Sequence, residues 1–235
     1  MQLLISVVGV AEVGAAVSGG ADIVDVKNPH EGSLGAAAPH VVRAVRAAAP
    51  VAVPVSAAIG DVPDLPGMAA LAAAGAASCG VEYVKVGLRG PSDEASALRL
   101  LRAVCRAAAE AARPPRVMAA GYADADAVGA LPPLLLPAVA AAAGAHGCML
   151  DTACKDGGTL FSALRDDDLR RFVEDCRRRS LVSALAGSLS ERDLPRLAAI
   201  APDIVGFRGA ACGGDRLSGQ VDASAVRRLK VAAAG

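Results

Sequence analysis

The 235-residue sequence predicts a single (β/α)8 barrel, one TIM-barrel domain over residues 1–235. Three observations carry that reading. Eight short β-rich runs recur along the chain, an Ala- and Leu-rich segment of helical spacing follows each, and no Gly-x-Gly-x-x-Gly follows the first run to favour a dinucleotide fold. Strict alternation of this kind means parallel strands joined by helical crossovers.

The elements are legible in order. LLISV (3–7) is preceded by no basic stretch and is soon followed by Glu12, so it reads as a first strand and not as a secretory signal. Helical spacing follows over 10–19. ADIVDVK (21–27) and helix 38–48 form the second unit, and VAVPVSA (51–57) with helix 67–79 the third. EYVKVG (82–87) leads to helix 92–112, where Ser92 ahead of Asp93 and Glu94 suits a helix start. RVMAAG (116–121) is followed by helical spacing over 124–144. Residues 131–150 approach membrane-spanning length, but Pro132, Pro133, Pro137, two glycines and His146 interrupt them, so they read as a helix followed by the buried strand GCMLDT (147–152). Three aspartates (166–168) open helix 166–179, and Arg177, Arg178 and Arg179 end it, each sign matched to the helix dipole. LVSALAG (181–187), helix 190–199 headed by Ser190, DIVGFRG (203–209) and helix 220–231 complete the count. No Pro/Ser-rich linker divides the chain.

Composition excludes several functions. Net charge is zero, pI is near 6.8 and only five residues are aromatic, which leaves neither a basic surface nor stacking platforms for nucleic acid. Nothing reads as a membrane segment. The six cysteines form no C-x-x-C pair and have no histidine at zinc-finger spacing, so reduced thiols in the cytoplasm are expected. His30, His40 and His146 lie far apart, no P-loop or nicotinamide motif is present, and the expectation is no metal and no cofactor. Asp61, read as part of a Gly60-Asp61 turn after the third strand, is the one carboxylate singled out as a conceivable magnesium contributor. Self-association into a homo-oligomer is left open.

Of 24 basic residues only Lys27, Lys85, Lys155 and Lys230 are lysine. Arginine stays protonated, whereas a desolvated lysine can release its proton and attack a carbonyl. Three of the four fall at or near the ends of predicted strands, where a barrel carries its chemistry; chance would place them so in roughly a few cases per hundred. The second strand ends Asp25-Val26-Lys27, and period-two alternation puts Asp25 and Lys27 on one face. Lys85 sits between Val84 and Val86, and Asp151 precedes Lys155 by four residues. Three amines and two carboxylates at one mouth suit imine chemistry: neighbouring cations and burial free a lone pair while a carboxylate moves protons. A structural ion pair is the plainer reading for Asp25 and Asp151. Gly187-Ser188 after the seventh strand and Arg208-Gly209 after the eighth stand where barrels commonly hold phosphate, with Arg208 offering a guanidinium fork.

Seven segments, ADIVDVKNPHEGSLGA (21–36), SAAIGDVPDLPG (56–67), YVKVGL (83–88), AAGYADA (119–125), MLDTACKDGGTLF (149–161), ALAGS (184–188) and DIVGFRGAACGGDR (203–216), resemble the (5-formylfuran-3-yl)methyl phosphate synthase family of methanofuran biosynthesis. The similarity runs end to end. It implies a TIM-barrel lyase that condenses two molecules of glyceraldehyde 3-phosphate, with loss of one phosphate and two waters, into a furan aldehyde phosphate. On that resemblance Lys27 is the Schiff-base lysine, with Asp25, Lys85, Asp151 and Lys155 around it. His30 departs from the lysine expected there in methanogen members. The alternatives are a class I aldolase releasing an open-chain sugar phosphate and a non-catalytic phosphosugar-binding barrel.

Overall fold

The computed structural model describes residues 1–155 and 157–234; Asp156, within the quoted 149–161 segment, and Gly235 lie outside the described residues. Eight parallel strands close in chain order, β8 pairing back onto β1. They are β1 (Gln2–Val7), β2 (Ile23–Val26), β3 (Val55–Asp61), β4 (Tyr83–Gly87), β5 (Arg116–Tyr122), β6 (Gly147–Asp151), β7 (Val182–Leu185) and β8 (Ile204–Phe207). Helices α1 (Val13–Gly19), α2 (Pro39–Ala48), α3 (Pro66–Ala77), α4 (Glu94–Ala109), α5 (Ala125–Val128), α6 (Leu136–Ala143), α7 (Leu160–Ala163), α8 (Asp166–Arg178), α9 (Leu194–Ile200) and α10 (Ala223–Ala234) form the outer ring and its loops. Among the described residues no helix is long and apolar enough to cross a membrane.

Two-residue alternation divides each strand between two cores. Leu3, Ile5 and Val7, Val24 and Val26, Val84 and Val86, and Cys148 and Leu150 pack outward against the helices. Leu4, Ile23, Met118, Met149, Ala184 and Ile204 fill the lower barrel interior. The inward positions further along the strands are polar: Ser6, Asp25, Lys85 and Asp151 are all buried. A one-residue slip would exchange the two sets and drive these groups into the helix-facing core, so hydrophobic burial fixes which side chains face the barrel axis.

The structure moves some boundaries. β3 begins four residues later than the VAVPVSA run, because Pro54 interrupts it and residues 51–53 form an exposed turn against the end of α2. Asp61 therefore ends a strand instead of sitting in a turn. The helical spacing over 124–144 divides into α5, a 3-10 turn (Pro133–Leu135) and α6, because Gly129 takes a left-handed conformation (φ 64°) and Pro132 and Pro133 cannot continue a helix. At the C-terminal end of α8, Arg178 and Arg179 pair with Asp175. Lys230 bonds Asp22 at 2.7 and 2.6 Å and ties α10 to the start of β2.

Candidate active site

A cavity of about 510 Å³ opens at the C-terminal ends of the strands, lined among others by Ser6, Lys27, Asp151, Lys155, Gly187, Ser188, Gly209 and Arg216. Lys27 follows β2 directly, and its amide still bonds the Val7 carbonyl at 3.1 Å, so the strand's register sets its position. Its side chain is buried, and Nζ donates to the Ser33 carbonyl at 3.3 Å. Among the described residues it makes no ion pair. Burial is the main force on its titration. Asp151 and Asp25 oppose burial while Lys85 and Lys155 reinforce it, and the amine is lowered from 10.5 to about 8.

Two ion pairs flank that amine at different depths. Lys155 Nζ donates to Asp151 Oδ1 at 2.7 Å and to Thr152 Oγ1 at 2.9 Å, and the Thr152 amide donates to the same carboxylate oxygen at 2.7 Å. Burial pushes Asp151 up, but Lys155, Lys27 and these hydrogen bonds outweigh it and hold the carboxyl at about 2. Lys85 Nζ donates to Asp25 Oδ2 at 2.8 Å, an oxygen that also accepts from Ser6 Oγ at 3.0 Å. This second pair does not line the main cavity. It lies one layer deeper, and Ser6 connects it to the mouth, where sequence alternation alone had placed Asp25 beside Lys27. Asp25 Oδ1 is buried with no hydrogen-bond partner among the described residues.

The loops after β7 and β8 form the opposite wall. Gly187 (φ 113°) and Ser188 (φ 51°) turn the chain sharply at the rim, and no acceptor among the described residues takes the amide of either. A side chain at 187 would press on Thr152 as well as strain the backbone. Arg208 differs from the sequence expectation of an open fork. Its guanidinium donates to Glu12 at 2.7 Å and to the carbonyls of Ser6, Arg216 and Gly219 at 3.1, 3.2 and 2.9 Å, so it is committed to the scaffold. The partner that occupies it, Glu12, stands 196 residues away in the chain. Arg208 still lines the cavity, as does Arg216, which reaches the Gly32 carbonyl at 3.2 Å and whose guanidinium burial holds below the usual arginine value.

The family model described as 4-HFC-P synthase matches residues 3–230. The chain belongs to the 4-HFC-P synthase family. It is 48% identical over 231 residues to the (5-formylfuran-3-yl)methyl phosphate synthase of Methanocaldococcus jannaschii, covering 98% of each chain. It is 50% identical over 231 residues to the synthase of the same name from Methanothermobacter thermautotrophicus, again covering 98% of each. As a 4-HFC-P synthase family member, the protein is an enzyme. Solved structures add the fold: 3-hexulose-6-phosphate synthase from Salmonella typhimurium superposes with a TM-score of 0.68 at 18% identity over 100% of this chain and 99% of that one.

Within this 4-HFC-P synthase family member, several residues near the amine cluster escape a reading of strand ends. Ser6 shows no charge, and its role comes only from its register opposite Asp25. Asp124 takes the amides of Ala153 and Cys154 at 2.7 and 2.8 Å and so holds the loop that carries Lys155. Asp61 takes the amides of Ser33 and Leu34, and Tyr122 donates its hydroxyl to Asp61. The GSLG segment that leads these amides to Asp61 was the available signal, since glycines on both sides of two small or apolar residues suit a tight return of the chain. His30 is exposed on the 3-10 turn Pro29–Glu31.

Proposed function

We propose that this protein condenses two molecules of glyceraldehyde 3-phosphate through an imine on Lys27 and releases (5-formylfuran-3-yl)methyl phosphate. One observation carries the reading: a buried amine titrating near 8, with no ion pair among the described residues, faces a cavity and is flanked by a buried Lys85–Asp25 pair and a partly buried Lys155–Asp151 pair. Arg could not serve there, and a passive phosphate binder would not need an amine held near neutrality.

In the proposed course Lys27 Nζ attacks the first aldehyde and one water leaves, forming the iminium. Loss of the proton from the adjacent carbon gives the enamine, with the Asp25–Lys85 pair relaying that proton through Ser6. A carbon–carbon bond to the second triose, elimination of one phosphate, ring closure through a hydroxyl oxygen and dehydration follow, and a water hydrolyses the imine to return Lys27. Imine formation and hydrolysis cancel, so the net loss is one phosphate and two waters, with no electrons gained or lost. Asp151, a carboxylate held ionised down to about pH 2, suits the base, and the protonated Lys155 bonded to it suits the acid for the departing hydroxyls. The amides of Gly187, Ser188 and Gly209, with Arg216, are assigned to the retained phosphate.

The test is to incubate the protein with glyceraldehyde 3-phosphate, follow conjugated furan absorbance and released phosphate together, and map the borohydride-reduced adduct by mass. The reading requires both products and an adduct at Lys27. Phosphate without a conjugated product, or an adduct solely at Lys85 or Lys155, counts against it.

The pH dependence has a definite sign. At pH 7 an amine titrating near 8 is about a tenth neutral, against roughly 0.03% for one at 10.5. The rate of adduct formation should therefore climb nearly tenfold per pH unit below about 7.5 and level off above about 8.5. Asp151 adds no acidic limb in the working range, since it loses its charge only toward about pH 2. A trapping rate that is flat from pH 6 to 9 would place the reactive amine elsewhere.

A further inference from the structure

We propose that Asp61 and Tyr122 are positioning residues for Lys27, acting through the loop between β2 and α2; this rests on the imine role assigned to Lys27 above. Neither residue lines the cavity, so neither is placed to touch substrate. What they hold is the acceptor of the amine. The loop turns back after the 3-10 turn Pro29–Glu31, closed by the Asn28 amide on the Gly35 carbonyl at 2.8 Å, and this brings the Ser33 carbonyl onto Lys27 Nζ at 3.3 Å.

Ser33 is fixed from the next strand. Its amide donates to Asp61 Oδ2 at 2.8 Å, and the Leu34 amide donates to Oδ1 and Oδ2 at 3.3 and 3.4 Å. Asp61 is itself aimed by the fully buried Tyr122 at the end of β5, whose hydroxyl donates to Oδ1. The surrounding backbone is cut to this arrangement. Gly32 sits at φ 131°, and a side chain there would collide with Asp61; one at Gly87 would collide with the Tyr122 hydroxyl and meet Asp61 at 2.7 Å. Strands β2, β3 and β5 are thus joined at one carboxylate, and the far end of that linkage is a carbonyl on the nucleophile.

The consequence for reactivity is geometric. A neutral amine has two N–H groups and one lone pair, so a fixed acceptor for one N–H restricts where the lone pair points. Misplacing a reacting group by about 1 Å costs on the order of 100-fold in rate. The charges that weigh most on the basicity of Lys27 are Asp151, Lys85, Asp25 and Lys155, and Asp61 is not one of them. Loss of Asp61 should therefore lower the rate plateau without moving the midpoint of the pH profile.

The experiment uses the full chain with Tyr122→Phe, Asp61→Asn and Asp61→Ala, and Tyr83→Phe as a control at the other end of the barrel. Each is mixed with glyceraldehyde 3-phosphate and quenched with borohydride over time, and amide exchange is measured across residues 28–38. The expected order of loss in the trapping rate constant is Asp61→Ala, then Asp61→Asn, then Tyr122→Phe, spanning roughly 100-fold down to several-fold. The midpoint near pH 8 and KM should hold, exchange at Ser33 and Leu34 should quicken, and Tyr83→Phe should match wild type. Simple loss of folded protein lowers the amplitude of trapping and not its rate constant, so it would overturn the proposal if it were the whole effect. Wild-type rate constants in Tyr122→Phe and Asp61→Asn would overturn it too. Should Asp61→Ala fail to fold, those two conservative variants decide alone. Absence of any Lys27 adduct in the wild-type protein would sink the imine reading first, a failure distinct from normal trapping in the variants.

Discussion

Lys27→Arg is expected to abolish the borohydride-trapped adduct and to lower furan formation by several orders of magnitude. The substitution keeps a positive charge at the end of β2 but removes an amine that can become neutral. Burial already penalises the charged form of Lys27: a fall from 10.5 to about 8 corresponds to about 3 kcal/mol in favour of the neutral amine. Between those two values the unfolded chain binds the extra proton, so stability rises with pH across that window and the full cost persists below 8. An arginine carries that cost at every pH. The variant should therefore be less stable as well as inactive, and its folded fraction must be measured beside its rate. Lys27→Met separates the two effects, because it removes the amine without leaving a buried charge and should be inactive yet at least as stable at pH 7. Phosphate-bearing substrate should still bind to both, since the loops after β7 and β8 are untouched. Lys230→Arg should retain activity, its pairing with Asp22 on the outside of the barrel being one that a guanidinium also makes. Near-wild-type turnover in Lys27→Arg would end the strand-end reading of the lysines.

The barrel was legible because its determinants are local. A parallel strand buried on both sides needs a short run rich in β-branched residues, and each such run here lies beside its own helix. Asp151 and Lys155, four residues apart, were legible as a pair for the same reason. What stayed hidden depends on distance along the chain. Nothing near Arg208 announces Glu12, and a guanidinium after β8 looks the same in sequence whether it faces a phosphate or a carboxylate of its own chain. Asp61 was misplaced into a turn because Pro54 shifts β3 by four residues, and with that shift went its tie to Ser33. Depth was the other blind spot. Alternation tells which face Asp25 and Lys27 share but not that the two-residue offset puts one in the packed interior and the other in the cavity.

Arg208→Met is expected to cost about 3–5 kcal/mol of stability, because it leaves the Glu12 carboxylate buried without its cation. Both side chains are nearly inaccessible, at 4% and 5% exposure. Glu12 cannot turn to water: its oxygens also accept the amides of Val8 and Val221 at 2.8 and 3.2 Å, which pins the loop after β1 to the segment before α10. Glu12→Gln keeps most of those bonds but strands the guanidinium, so it should fall in a similar range. Replacing both together should recover much of the loss, since a pair of apolar side chains avoids the desolvation that each charge suffers alone. Chemical denaturation of the two single variants and the double variant measures the coupling directly. KM for glyceraldehyde 3-phosphate, measured on the folded fraction, should change little, because four of the guanidinium's five N–H donors already meet protein acceptors. If Arg208 instead grips substrate, the pattern inverts: Arg208→Met would fold with near-normal stability, KM would rise steeply, and the Glu12 substitution would leave KM alone. That outcome would return the phosphate to the arginine and reduce Glu12 to the group that aims it.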